Sequence, residues 1–297
     1  MTLVALPHPA EPAGIRADQG FGRVAFVLQG GGALAAPQVG MLRALGEAGV
    51  TADLVIGSSA GALNAVAFAT DPSPAGLHRL GSLWLGLRRK QVARFSVRTV
   101  AGALSGRGDG LLSSAAMSTL LGSGVVVPLL EQAALPAHVV VTDFSSGEPV
   151  VLSQGDSVTA LLASSAFPGL YPPVASGSRL FVDGGVSADV PIIQAEALGA
   201  TVSYVLPAAG AHQSQVAGRG PLSVAYRALG QVLDGVTRRD LAAARGHVHI
   251  LPTPTSNATN PIDFRGTTRL IDEGYRLASE WLSQSHPAAV GFVGASA

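Results

Sequence analysis

The chain contains no cysteine in 297 residues, which excludes disulfides and thiolate metal sites. It is also poor in charge. Asp, Glu, Lys and Arg make up 13% of it, and 19 basic side chains balance 19 acidic ones. A net charge of zero argues against a nucleic-acid partner held by bulk electrostatics. Long apolar runs are missing too. The least polar stretch, Leu54 to Ala69, is interrupted by Ser58, Ser59 and Asn64, and is too short and too polar to span a bilayer, although contact with a lipid surface is compatible with it. Residues 1–20 carry prolines, glycines, two acids and a lone Arg16 with no continuous apolar stretch, so no secretory signal is expected there. The expected location is cytoplasmic, with a peripheral place at a membrane as the alternative. Internal repeats and a dividing linker are also lacking. What the chain has is 47% hydrophobic residues, enough for a large core, and 37 glycines.

Two strand–turn–helix units open the chain. Arg23 to Leu28 is a run of β-formers, followed by Gln29-Gly30-Gly31-Gly32 and a helical pattern over Ala33 to Ala48. Pro37 is tolerable only in the first turn of that helix, and Gly49 closes it. Leu54 to Ile56 is the second strand, ended by Gly57-Ser58-Ser59-Ala60-Gly61 and a small-residue helix. This alternation predicts an α/β fold: a parallel sheet with helices on its faces. A helix over Leu77 to Leu87 follows. Then come Arg88, Arg89, Lys90, Arg94 and Arg98 with Phe95 among them, which read as a solvated basic face or, alternatively, as a contact with an anionic lipid surface. Residues 101–124 read as loop with one short helix. A hairpin is predicted from His138–Phe144 and Pro149–Leu152, then a helix over Ser157–Ser165 and a strand over Arg179–Val182. Further on, Thr201–Leu206 and His247–Leu251 read as strands and 207–220 as a loop. Pro221–Ala244 reads as a helix with candidate breaks at Gly230 and Gly235, and Thr267–Ser283 as the last helix.

Chemistry concentrates at three places. Gly57 to Gly61 has the form G-x-S-x-G, in which a strained strand-to-helix turn pushes the hydroxyl of Ser59 out of the backbone beside a helix N-terminus. Gly57 and Gly61 have a steric reason to be there, because a Cβ at either would crowd the turn or hold the helix off the strand. A serine is a poor nucleophile until a base takes its proton. Of the seven histidines only His212, on a loop after a strand, is placed like a hydrolase histidine. Asp183 ends a strand and precedes Gly184 and Gly185; it is a candidate base, and equally an ordinary Asp-Gly turn. Gly30, Gly31 and Gly32 present consecutive N–H groups suited to an oxyanion. A nucleotide-binding reading of Gly30, Gly32 and Ala35 as G-x-G-x-x-A wants an acid at the end of the next strand. Here Asp53 begins that strand and Gly57 ends it. No metal or cofactor is called for.

These motifs together resemble the patatin-like phospholipase family. The resemblance rests on GGGALAAPQVG at 30–40, GSSAG at 57–61, DGG at 183–185 and ASSAFPGLYPPV at 163–174. It implies a three-layer α/β/α fold with a mainly parallel central sheet, in a single catalytic domain over 23–285 between loose tails at 1–22 and 286–297. It implies a Ser59–Asp183 dyad without a histidine, an oxyanion loop at Gly30, Gly31 and Gly32, and a lipid or other ester substrate; transient contact with a membrane surface is the alternative that the basic stretch leaves open. The chain departs from the family pattern at two places. Leu34 and Ala35 replace a cationic residue and a glycine in the loop, which weakens the case for a phosphate-bearing substrate, and Asp189 replaces an asparagine six residues after Asp183. The alternatives are a Ser-His-Asp esterase using His212 and a catalytically silent module that binds acyl chains or membranes.

Overall fold

The computed structural model describes residues 22–88, 112, 115–122, 124–210, 221–255 and 262–285. Both expected tails (apart from Gly22), the basic stretch after Arg88, and His212 lie outside these residues. One eight-stranded sheet organises the molecule. Its strands are β1 (Val24–Leu28), β2 (Leu54–Ser58), β3 (Ala137–Asp143), β4 (Pro149–Leu152), β5 (Val174–Ser176), β6 (Arg179–Asp183), β7 (Val202–Leu206) and β8 (His247–Ile250). They lie in the order β5-β6-β3-β2-β1-β7-β8, with β4 also paired to β3. The β3-β2-β1-β7-β8 portion is parallel; β4, β5 and β6 are antiparallel to their neighbours.

Among the described residues the α-helices are α1 (Pro37–Glu47), α2 (Ala60–Thr70), α3 (Pro74–Gly86), α4 (Ala115–Leu121), α5 (Ser157–Ser164), α6 (Gly185–Ala188), α7 (Ile192–Ala197), α8 (Pro221–Ala243) and α9 (Thr267–Ser285). Alternation along β1 divides them into two layers. Phe26 and Leu28 point into a core shared with α1, α2, α3, α5 and α9, while Ala25 and Val27 point into one shared with α6, α7 and Leu241 of α8. The central strands β1 and β2 are covered on both faces, which is why they read as unbroken apolar runs. Each fully buried large aliphatic or aromatic side chain contributes about 1.5–3 kcal/mol, so this double burial is what holds the parallel strands in register. The fold is the three-layer α/β arrangement the motifs implied.

Four local expectations need correction. The segment after the glycines is not one helix from Ala33. A 3-10 turn over Gly32–Ala35 comes first, and the α-helix starts at Pro37, whose missing N–H suits the first helical position. Helix α3 starts at Pro74 instead of Leu77, because the Ser73 side chain caps the N–H of Gly76. Helix α8 runs unbroken through Gly230 and Gly235. Strand β5, not anticipated, continues the extended chain that Pro172-Pro173 enforces and pairs with β6. Among the described residues no helix is long and apolar enough to cross a membrane.

Candidate active site

Ser59 is the one non-glycine residue at positive φ among the described residues (φ 53°, ψ −125°). Such a conformation costs roughly 1–3 kcal/mol and persists only where the surroundings impose it. Here they do. A Cβ on Gly57 would stand 2.4 Å from the carbonyl oxygen of Gly61, and one on Gly61 would stand 2.3 Å from that of Leu28. The N–H of Ser59 donates to Ser164 Oγ (2.8 Å), which donates in turn to the carbonyl of Val140 (2.6 Å). Helix α5 therefore clamps the turn to β3.

Asp183 reaches Ser59 by a route the sequence does not display. Val140 of β3 pairs with Ser58 on one side and Val151 on the other; the next residue, Val141, pairs with Asp183 and Val150. Since β4 occupies one edge of β3, β2 and β6 share the other. They run in opposite directions along it and end at adjacent positions. Their last residues, Ser58 and Asp183, meet head to head. A Cβ on Gly184 would stand 2.1 Å from the Val140 carbonyl, so only glycine lets the chain turn away at this junction. Ser59 Oγ donates to Asp183 Oδ2 at 2.7 Å, the N–H of Gly185 donates to Oδ1 at 2.8 Å, and Thr142 Oγ1 donates to the Asp183 main-chain carbonyl at 2.8 Å. The carboxyl is buried, and that desolvation, with a smaller contribution from the nearby charge of Asp189, raises its pKa to about 7 against the two donated hydrogen bonds.

The parallel pairing of Leu28 with Gly57 sets the glycine loop beside the elbow. A Cβ on Gly30 would lie 3.3 Å from Ser59 Cβ. Gly31 (φ 145°) and Gly32 (φ 56°) hold conformations that favour glycine. Of the three glycines expected to form the oxyanion loop, Gly30 has its N–H engaged within the chain: it donates to the carbonyl of Asp189 (3.2 Å). Among the described residues, the N–H groups of Gly31 and Gly32, with that of Ala60 at the start of α2, meet no acceptor within the chain.

Sequence reasoning missed a buried polar chain behind the loop. Trp84 Nε1 donates to Asn64 Oδ1 (2.7 Å), Asn64 Nδ2 to Gln38 Oε1 (2.8 Å), and Gln38 Nε2 to the carbonyl of Gln29 (2.7 Å). Gln29 Nε2 then donates to Asp189 Oδ2 (2.7 Å). The available signal was two amides: Gln38, at helical spacing with the apolar Leu34, Met41, Leu42 and Leu45, and Asn64, among the apolar residues of α2. A pocket of about 290 Å³ opens over Ser59 and the loop, walled by apolar side chains that include Leu34, Leu63, Trp84, Met117, Phe167 and Phe264. Leu34, at the position where a cation was expected, is part of that wall. None of the described histidines lines the pocket. His138 is buried on β3 against Ser153 Oγ, and burial pushes its pKa down to about 4. No cluster able to hold a metal occurs among the described residues.

The patatin-like phospholipase family model matches residues 26–196. Lysophospholipase nte1 of Aspergillus terreus is 27% identical over 191 residues, which cover 62% of this chain and 12% of that protein. Patatin-like phospholipase domain-containing protein 7 of Rattus norvegicus is 29% identical over 181 residues, covering 60% of this chain and 13% of the relative. The matches thus span a small part of these relatives' length. Among solved structures, VipD from Legionella pneumophila aligns over 89% of this chain and 67% of its own, at 15% identity and a TM-score of 0.45.

Proposed function

This chain belongs to the patatin-like phospholipase family, and on that premise we propose that it is a lipolytic serine acyl-hydrolase of the phospholipase A or esterase type, acting on carboxylic esters of lipids. The observation that carries the reading is the 2.7 Å hydrogen bond from Ser59 Oγ to Asp183 Oδ2 beside the glycine loop. Asp183 takes the hydroxyl proton as Ser59 Oγ attacks the ester carbonyl. The N–H groups of Gly31 and Gly32, with that of Ala60, receive the charge that develops on the carbonyl oxygen. Collapse of the tetrahedral intermediate expels the alcohol, which takes the proton back from Asp183 and leaves an acyl-Ser59. Water then repeats the sequence, with Asp183 again as base, and releases the fatty acid. The apolar wall of the pocket suits an acyl chain.

The test is covalent and kinetic. A fluorophosphonate probe is expected to label Ser59, and Ser59→Ala is expected to abolish both labelling and turnover of p-nitrophenyl butyrate. Turnover retained in that variant would reject the assignment. A folded wild type that resists the probe would favour a silent acyl-binding module instead.

The pH profile follows from the burial of Asp183. The base works ionised, and its pKa is raised to about 7. Activity is therefore expected to be full above that pH and to be lost as pH falls through it. An ordinary exposed aspartate would keep the enzyme active to about pH 4. The pH dependence of kcat/KM between pH 5 and 9 checks this.

A further inference from the structure

Asp189 follows α6 directly and touches both halves of the site. Its main-chain carbonyl accepts the N–H of Gly30 at 3.2 Å, and its Oδ2 accepts Gln29 Nε2 at 2.7 Å. Its Oδ1 lies 2.6 Å from the point where a Cβ on Gly30 would stand, and 3.1 Å from the same point on Gly185. The N–H of Gly185 in turn holds Asp183 Oδ1. The carboxyl is thus wedged between the glycine loop and the DGG turn, and the hydrogen bond it receives there comes from a neutral amide.

Resting on the hydrolase reading, we propose that Asp189 is a positioning residue that ties the oxyanion loop to the dyad, and whose negative charge sets the pH range in which Asp183 serves as base. The loop is tied at two points, the Gly30 main chain and the Gln29 side chain, so the donors next to Gly30 are held at a fixed distance from Ser59. The charge acts through space on Asp183. Around these two carboxyls the described elements contribute Asp234 of α8, which has an interaction of its own, and Tyr171, which lines the same pocket. The glycine loop brings only amides, and β3, α5 and α6 bring the hydroxyls of Thr142, Ser164 and Ser187. Burial and then the charge of Asp234 raise Asp189 to about 6. The charge of Asp189 in turn raises the proton affinity of Asp183, so the two carboxyls titrate as a coupled pair.

Asp189→Asn separates the two roles, because an asparagine oxygen still accepts the Gln29 amide while the charge is gone. The probe reaction is p-nitrophenyl butyrate hydrolysis from pH 4.5 to 9.5. The acidic limb of kcat/KM is expected to move to lower pH by roughly 0.5–1 unit. The plateau is expected to fall severalfold, since a base of lower proton affinity is a weaker base, with KM little changed. A limb that superimposes on that of the wild type, or a uniform loss without a shift, would overturn the proposal. If the variant does not fold, carbon-13 titration of the Asp183 and Asp189 carboxyls in the wild type decides. Two inflections visible in both resonances support the coupling, and independent single inflections overturn it. A wild type that Ser59-directed fluorophosphonate labels and that turns over ester, paired with an unshifted Asp189→Asn limb, overturns this inference alone. A wild type that neither labels nor turns over overturns the hydrolase reading and this inference together.

Discussion

Asp183→Asn is expected to lower kcat/KM for p-nitrophenyl butyrate by about a thousandfold, within the range attributed to a positioned general base, while leaving the protein folded and more heat-stable at pH 8. The two halves of this expectation have one cause. The side chain is 3% exposed, and burial is the main reason its pKa sits near 7 instead of near 4. Asparagine can preserve the local hydrogen bonds: its oxygen accepts from the N–H of Gly185, and its amide donates to Ser59 Oγ. It cannot accept the serine proton, so the loss of rate follows. For stability the sign runs the other way. Between the unfolded and folded pKa values, about 4 and about 7, the native state binds a proton that the unfolded chain has released, so native stability falls as pH rises through this window. Above it, the wild type holds an ionised carboxylate in a buried place, and the variant does not. The gain in Tm is therefore expected at pH 8 and is expected to vanish at pH 3.5, where both states of the wild type are protonated. Thermal melts at the two pH values check this half, and steady-state kinetics the other. A variant with near-wild-type kcat/KM would remove Asp183 from the mechanism. A variant with no activity but no pH-dependent gain in stability would mean that the carboxyl is ionised without cost, contrary to its burial.

Gly61→Ala is expected to be among the most damaging single-methyl additions in the chain. The new Cβ would stand 2.3 Å from the carbonyl oxygen of Leu28 and 2.5 Å from that of Gln29, both backbone atoms of the sheet and the loop that follows it. Neither can move aside as a flexible side chain would. Either α2 lifts off β1 or the end of β1 shifts, and both displace the glycine loop from Ser59. Overpacking of this kind typically costs 1–3 kcal/mol, and the loss of loop geometry adds a drop in kcat of about a hundredfold or more. Gly46→Ala is the matched control. It lies within α1 with nothing near its virtual Cβ, and is expected to be neutral or to stabilise by about 0.5–1 kcal/mol. Circular dichroism melts of the two variants, with kinetics on the soluble fraction, test the pair. A Gly61→Ala protein as stable and active as Gly46→Ala would show that the elbow is not held against β1 as described.

Much of this architecture was legible because it is local. Runs of β-formers ended by glycine, each followed by a helical period, announce parallel βα units. Glycine at 57 and 61 announces a turn with no room for a side chain. Pro37 marks a helix start, and Asp-Gly-Gly marks a strand end. The corrections are also local physics: a serine cap that starts α3 early, and a proline that delays α1. The site was less legible. Gly30 looks like its two neighbours in the sequence, yet its N–H is taken by the Asp189 carbonyl, a partner 159 residues away. Gln38 and Asn64 are ordinary amides until their helices pack and bury them against each other.

The chain by itself determined which residues could turn sharply, which could line a core, and which carried a hydroxyl or a carboxyl at a strand end. These properties depend on neighbours a few bonds away. Only the tertiary structure decided that β2 and β6 share one edge of β3 and end against each other, bringing Ser59 and Asp183, 124 residues apart, to 2.7 Å. The reason is that strand register is set by which faces are buried after the whole sheet assembles, and no local pattern encodes where two strands running in opposite directions will meet.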